Sequence, residues 1–309
     1  MSEQASRLTL LHTRSLNFWV FCAASPVGQN VELSVQSRGQ HAPNNPSLVA
    51  SDRTYRSVTQ SKRIPDVSLG YGRPVTELPL TLADLHLSLS PGDEVVTHLS
   101  ARPSLDWSRQ RAMDLVIGAG FLPYGKVTKK SSGFVLRLKR IRSLPDTVGP
   151  KMQILIVGLN PSPYSADSGI GYGRPGNRFW PAALRAGLVS IDRDPRHALT
   201  HHGVGMTDLV RRTTARADEV ERTEFETGFE RVERLAAWLK PRLCCFIGLG
   251  GWRLVVDRKA VAGRQTDAVG GCPVYVMPHT SGLNAHSRLE DLAEHLLAVS
   301  AMADAAKQV

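Results

Sequence analysis

The chain has 309 residues, 42% hydrophobic and 21% charged, with a formal charge of +10. This length allows one large domain or two ordinary ones, and no run approaches the ~18 apolar residues of a membrane span, so no membrane partner is expected. The excess of positive charge points to a polyanion, nucleic acid being the first class to consider. It lies mostly in residues 1–150 (18 Lys and Arg against 11 Asp and Glu, +7) and less in residues 151–309 (20 against 17, +3).

At the N-terminus, MSEQASRLTLLHTRS has no signal-peptide core, because LTLL runs straight into His12 and Arg14. A cytosolic protein, nucleoid-associated when on DNA, is therefore expected. Residues 1–80 are rich in Ser, Asn, Gln, Pro and Arg, as in SVQSRGQHAPNNPSLVASDRTYRS. Such a composition has few ways to bury a core, so this region reads as largely disordered or irregular, with one short strand at LNFWVFC, residues 16–22.

Order is expected from residue 81. TLADLHLSL carries apolar residues at helical spacing, PGDEVVTHLS follows as turn and strand, and SRQRAMDLVIGAGF reads as a helix ended by Gly118 and Gly120. KVTKKSSGFVLRLKR then reads as a hairpin turning at Ser-Ser-Gly. The order helix, strand, helix, AGF, hairpin over residues 81–142 resembles the C-terminal third of a class I S-adenosylmethionine-dependent methyltransferase. No strand here leads into a G-x-G loop, the feature such a domain needs for its cofactor, so the segment reads as a remnant without catalysis. RSLPDTVGPKM, with two prolines and a glycine, reads as a linker over residues 143–152.

Residues 153–303 are expected to form the second domain, with 304–309 as a tail. Buried strands are read at ILIVG (154–158), LCCFIGL (243–249) and VYVMP (274–278). Between them a helix is expected to start at a capping box, Thr223-Glu-Phe-Glu226, and to stop at Pro241. Strands alternating with helices imply a parallel sheet covered on both faces. Ligands of such folds bind beyond the carboxyl ends of the strands, which selects the loops 159–180 and 278–288. Cys22, Cys244, Cys245 and Cys272 form no C-x-x-C pair, so neither a structural metal, an iron–sulfur cluster nor a disulfide framework is expected.

The first loop contains GLNPS, then Y-G-R-P-G-N-R-F-W; the second is PHTSGLNAH. With GVGMTDLV and FIGLGGWR between them, residues 153–300 resemble the mismatch-specific uracil/thymine DNA glycosylases of the uracil-DNA glycosylase superfamily. The resemblance implies a three-layer α/β/α fold around a central, mostly parallel four-stranded sheet. It implies that Asn160 holds the water that attacks C1′ of a flipped-out deoxyuridine. It places substrate contacts at Gly158, Leu159 and Ser162, a base-stacking aromatic at Tyr172, and DNA contacts at Ser281, Gly282, Leu283 and Asn284, Leu283 being the plug that fills the vacated stack. His279 stands where mismatch-specific members usually have asparagine or serine; it resembles other branches, in which a histidine donates to uracil O2. Asp167, the only acid of the first loop, reads as a solvated residue outside the motif. Arg174 and Arg178 are open between phosphate binding and support of the next helix, and His286 between a phosphate contact and a plain surface residue.

These readings imply a monofunctional, monomeric, cofactor-free and metal-free DNA glycosylase. It would remove uracil, with thymine or modified cytosine as further substrates, from double-stranded DNA with G:U or G:T mismatches, in base excision repair. A lesion-binding protein that no longer cuts is the alternative, opposed by the intact Asn160. A working methyltransferase in the first half is opposed by the missing glycine-rich loop.

Overall fold

A computed structural model describes residues 64–216 and 219–306; the strand expected at 16–22 lies outside them. The first sheet combines β1 (Asp66–Leu69), β2 (Glu94–Leu99), β3 (Phe121–Lys130) and β4 (Gly133–Arg140) in the order β1-β2-β4-β3. β1 is parallel to β2, while β2–β4 and β3–β4 are antiparallel. Helices α1 (Leu78–Ser88) and α2 (Arg109–Gly118) cover one face, enclosing Leu82, Leu99, Val116, Phe121, Leu136 and Leu138.

Among the described residues regular structure is present from Asp66, so the expectation of irregular chain is corrected for residues 66–80. β1 is a four-residue edge strand that buries none of its residues fully. Val67 and Leu69 alternate with Asp66 and Ser68 and pack against the core of this sheet, but four residues at an edge are too short a run to mark a strand.

The second sheet is built from β5 (Ile154–Gly158), β6 (Val204–Asp208), β7 (Leu243–Ile247), β8 (Gly263–Arg264) and β9 (Val274–Met277), ordered β6-β5-β7-β9-β8. Four strands are parallel, and every residue of β5, β6, β7 and β9 is buried. The two-residue antiparallel β8 makes five strands where four were expected; it is too short to leave a pattern. Alternate residues serve opposite cores. Ile154 and Ile156 join Trp180 and Leu296 on one face, and Leu155 and Val157 join Phe225, Leu235 and Trp252 on the other. Those cores are closed by α3 (Pro163–Ser168), α4 (Phe179–Arg185), α5 (Pro195–His202), α6 (Arg222–Leu239), α7 (Leu249–Val255) and α8 (Leu289–Ala305). The capping box of α6 is Glu221 with Glu224, two residues before the expected Thr223–Glu226 pair. A carboxylate takes the capping role that the sequence rule assigns to a hydroxyl.

Residues 143–152 are not a flexible linker. Ser143, Leu144, Asp146, Val148 and Met152 are buried. Thr147 exchanges two backbone hydrogen bonds with Met206 of β6, at 2.9 and 2.8 Å. Asp146 is the anchor: Oδ1 accepts from Arg211 Nη1 (2.9 Å) and Thr207 Oγ1 (2.7 Å), and Oδ2 accepts from Arg231 Nη1 (2.7 Å). Arg211 also donates to the carbonyls of Gly118, at 2.8 Å, and Leu144, tying α2 of the first sheet to the end of β6. Around this node Arg234 forks onto Asp114 at 2.9 and 3.0 Å, and the Arg111 guanidinium lies 4.2 Å over the Trp238 ring. Proline and glycine content suggested a spacer, but a buried ion pair fixes the segment.

Removing one partner of a buried ion pair costs about 3–5 kcal/mol, because the other charge stays desolvated. Asp146→Ala strands two buried guanidiniums and is expected to lose that much in denaturant unfolding. Asp167→Ala, which opens an exposed pair with Arg142, is the control.

Candidate active site

The four parallel strands end side by side at Asp208, Gly158, Ile247 and Met277. Their following loops enclose a cavity of about 160 Å³, with Asn160, Tyr172, Asp208 and His279 in its wall. This is room for one small ring, at the edge where parallel sheets keep their ligands.

Asn160 leaves β5 two residues after the strand ends. Its Nδ2 donates to the Arg212 carbonyl (3.1 Å) and to Thr214 Oγ1 (2.7 Å). Thr214 Oγ1 in turn donates to the Arg216 carbonyl at 2.7 Å. Both amide protons are thereby used, the rotamer is fixed, and Oδ1 keeps its acceptor capacity. Leu159 and Ser162 also line the cavity. The Ser162 hydroxyl caps α3, accepting from Ser165 N at 3.2 Å.

Gly158 is buried at the end of β5 and is not among the residues of the cavity wall. A Cβ there would strike Asp208 Oδ1 and come within 2.9 Å of the Tyr172 hydroxyl. The residue is a spacer that lets both groups stand behind Asn160.

Tyr172 lies between two glycines at φ 58°, a conformation bulky residues rarely adopt. Stacking on Phe179 holds it there, with centroids 4.4 Å apart and planes 25° apart. One ring face is thus occupied by Phe179, while the residue still lines the cavity. Its hydroxyl is buried without a hydrogen-bond partner among the described residues, and burial holds its pKa well above the usual phenol value.

Asp208 was missed by the sequence reading. It is only 7% exposed, lines the cavity, and has its carboxyl pKa pushed up to about 6. Burial is the main cause and Asp146 adds to it, while Arg211 and Arg231 pull the other way. The available signal was an acid at the last position of GVGMTD, a strand end on the ligand edge.

On the other wall, His279 follows β9. Burial, then the nearby Arg178 guanidinium, hold its pKa below the usual imidazole value, so it is neutral at pH 7. Its carbonyl accepts from Asn284 Nδ2 at 2.7 Å. Ser281 lines the cavity, and its hydroxyl accepts from Leu283 N at 3.3 Å. Leu283 is 86% exposed at the loop tip. A side chain on Gly282 would come within 2.9 Å of the Gly176 carbonyl, so the two motif loops touch there.

Asn284, expected as a DNA contact, lies within its own loop. It is 6% exposed, and its amide binds the His279 carbonyl, Ser287 Oγ (3.1 Å) and His286 N (3.0 Å). Those bonds hold the loop's shape. Arg178 resolves toward support: its guanidinium donates to the carbonyls of Ser281 (3.0 Å), Asn284 (2.7 Å) and Ser287. Phe179 and Trp180 are fully buried beneath it. Arg174 and His286 are exposed, and Asp167 pairs with Arg142 away from the cavity.

Among solved structures, the solution structure of a candidate uracil DNA glycosylase from Methanosarcina acetivorans is 23% identical. It matches over 52% of this chain and 97% of its own, with a TM-score of 0.36. Residues 145–301, from the buried Asp146 anchor to α8, match the Uracil DNA glycosylase superfamily. The chain belongs to that superfamily.

Proposed function

We propose that the protein is a monofunctional DNA glycosylase that hydrolyses the N-glycosidic bond of uracil paired with guanine. Thymine and modified cytosine in the same mismatches are further substrates, and the protein works as a cytosolic monomer on duplex DNA in base excision repair. The observation that carries this reading is the double anchoring of the Asn160 amide nitrogen. It leaves Oδ1 as a fixed acceptor for one water proton in a cavity the size of one base.

An amide orients water but cannot take its proton at neutral pH. The base therefore departs first, and the water meets an oxocarbenium-like sugar. That order shifts the burden onto stabilising the leaving anion. Neutral His279 serves as N–H donor toward uracil O2, and a donor that stays uncharged avoids placing a second cation beside Arg178. The pyrimidine stacks on the face of Tyr172 opposite Phe179, and the Asp208 carboxyl meets its polar edge. Leu283, exposed at the tip of a braced loop, fills the gap left by the flipped base. No lysine lines the cavity, in keeping with hydrolysis without a Schiff-base lyase step. Residues 81–142 are proposed as a non-catalytic methyltransferase remnant; the order α1, β2, α2, hairpin supports that reading.

Single-turnover excision on G:U, G:T, A:U and single-stranded U substrates tests the assignment, with G:U expected to be cut fastest. Asn160→Ala should lose on the order of 10²–10⁴-fold. Thr214→Ala removes one of the two anchors and should lose about tenfold, the rate equivalent of one ordinary hydrogen bond. A loss below about threefold in His279→Ala would remove histidine from the mechanism. Leu283→Ala should slow duplex substrates while sparing single strands.

Asp208 yields a stability prediction with a defined sign. Its folded pKa of about 6 lies above the ordinary 3.8, so its favourable contribution is complete below pH 3.8 and is lost as pH rises through 6. Asp208→Asn should therefore be more stable than wild type at pH 8, by up to about 3 kcal/mol, from roughly two pH units at ~1.36 kcal/mol each. Equilibrium unfolding at pH 8 and pH 4 checks this, and the gap should close at the lower pH.

A further inference from the structure

The β3–β4 hairpin carries a concentration of charge that the cavity does not use. Residues 121–142 contain seven Lys and Arg and no Asp or Glu. Arg140 is buried, and Arg142 pairs with Asp167. The other five, Lys126, Lys129, Lys130, Arg137 and Lys139, are exposed and form no ion pair among the described residues. Acids do occur on this sheet, but they are engaged elsewhere. Glu94, opposite Lys139 in register, accepts from the Tyr124 hydroxyl at 3.0 Å, and Asp66 is 2.9 Å from His98. Positive charge is therefore left along the β4–β3 edge.

The base of the hairpin meets the rim of the active site. The Arg142 carbonyl accepts from Thr213 Oγ1 at 2.6 Å, next to the Thr214 that anchors Asn160, and the Arg142 side chain reaches α3. From Arg140 to Gly133 the strand covers seven steps of ~3.4 Å, about 24 Å in all. B-DNA rises ~3.4 Å per base pair along each strand, so the hairpin spans roughly seven base pairs of phosphates.

We propose that this hairpin is a second DNA-binding element, which grips the phosphate backbone of the duplex flanking the damaged base. The proposal rests on the glycosylase reading for what lies at its base, but its chemistry is that of any duplex. An alternative explanation exists for lysines on β3, an edge strand: charge there prevents pairing with another sheet. Glutamate would serve that purpose equally well, whereas a phosphate-binding role would be reversed.

The test is fluorescence anisotropy of the full chain with an undamaged 30-base-pair duplex across a salt series, on wild type, K126E/K129E/K130E and K126R/K129R/K130R. Each phosphate contact contributes about 0.9 to the slope of log K against log salt. The glutamate variant should lose at least about tenfold in affinity at 100 mM salt and reduce the slope by two to three. The arginine variant should keep both, and thermal melting should show all three folded. An unchanged slope and affinity in a folded glutamate variant would overturn the proposal, as would equal losses in the arginine variant. Because the duplex carries no uracil, the outcome is independent of excision: a protein that cuts nothing yet shows the predicted loss would sink the glycosylase reading and leave the hairpin standing.

Discussion

The placement of the site depends on one buried carboxylate. Asp146 binds Arg211 and Arg231 together, and the Nη2 of each guanidinium donates to backbone or hydroxyl oxygens. Arg231 reaches Thr207 Oγ1 and the Asp208 carbonyl at 2.8 and 2.9 Å, and Arg211 reaches Gly118. The chain leaving β6 is therefore fixed just before it delivers Arg212 and Thr214 to Asn160. Two cations against one anion would be an expensive core. Asp208 ionises above its pKa of about 6, and burial outweighs the pull of Arg211 and Arg231 on its carboxyl. The same side chain faces the cavity, so the charge balance of the core and that of the site are one quantity.

A second cation organises the opposite wall. Arg178 opens α4 from the first motif loop and spends its donors on carbonyls of the second. The two loops lie more than 100 residues apart in sequence, and this contact holds them as one surface. Leu283 can be 86% exposed without collapsing onto the core because the residues on both sides of it are held, Asn284 by its own amide and Ser281 by Arg178. An apolar side chain kept in water is costly on its own account; the bracing is what keeps it presented.

The sequence exposed the elements whose burial leaves a pattern. β5, β7 and β9 are short apolar runs because both faces of the parallel sheet are covered, and the motif loops follow from where those runs end. The hidden parts are those built from polar or backbone interactions. β1 is a four-residue edge strand whose Val67 and Leu69 are only partly buried, and β8 is two residues long. Residues 143–152 have a linker's composition but are buried by one ion-paired aspartate. At the site, the motif residues Asn160, Tyr172 and His279 line one cavity, because a motif records which residue types must converge. A motif does not record whether a residue such as Asn284, whose amide bonds within its own loop, serves ligand or loop. Asp208 was overlooked because the burial that makes it unusual arises only when the chain is folded.

The question of why an amide rather than an acid follows β5 then has a physical answer. Among the residues lining the cavity, the titratable ones are Tyr172, Asp208 and His279. Tyr172 is held protonated and His279 is held neutral, both chiefly by burial. Asp208, its carboxyl pKa pushed up to about 6, ionises near neutrality. A carboxylate at position 160 would share the wall of one small cavity with Asp208 and place two like charges there. Each would raise the other's pKa, and one would be protonated at pH 7. An acid there would thus give up the basicity that justified it. A pinned amide keeps its acceptor at every pH, and on the proposed route, in which the base leaves before water attacks, a constant acceptor is all the water requires.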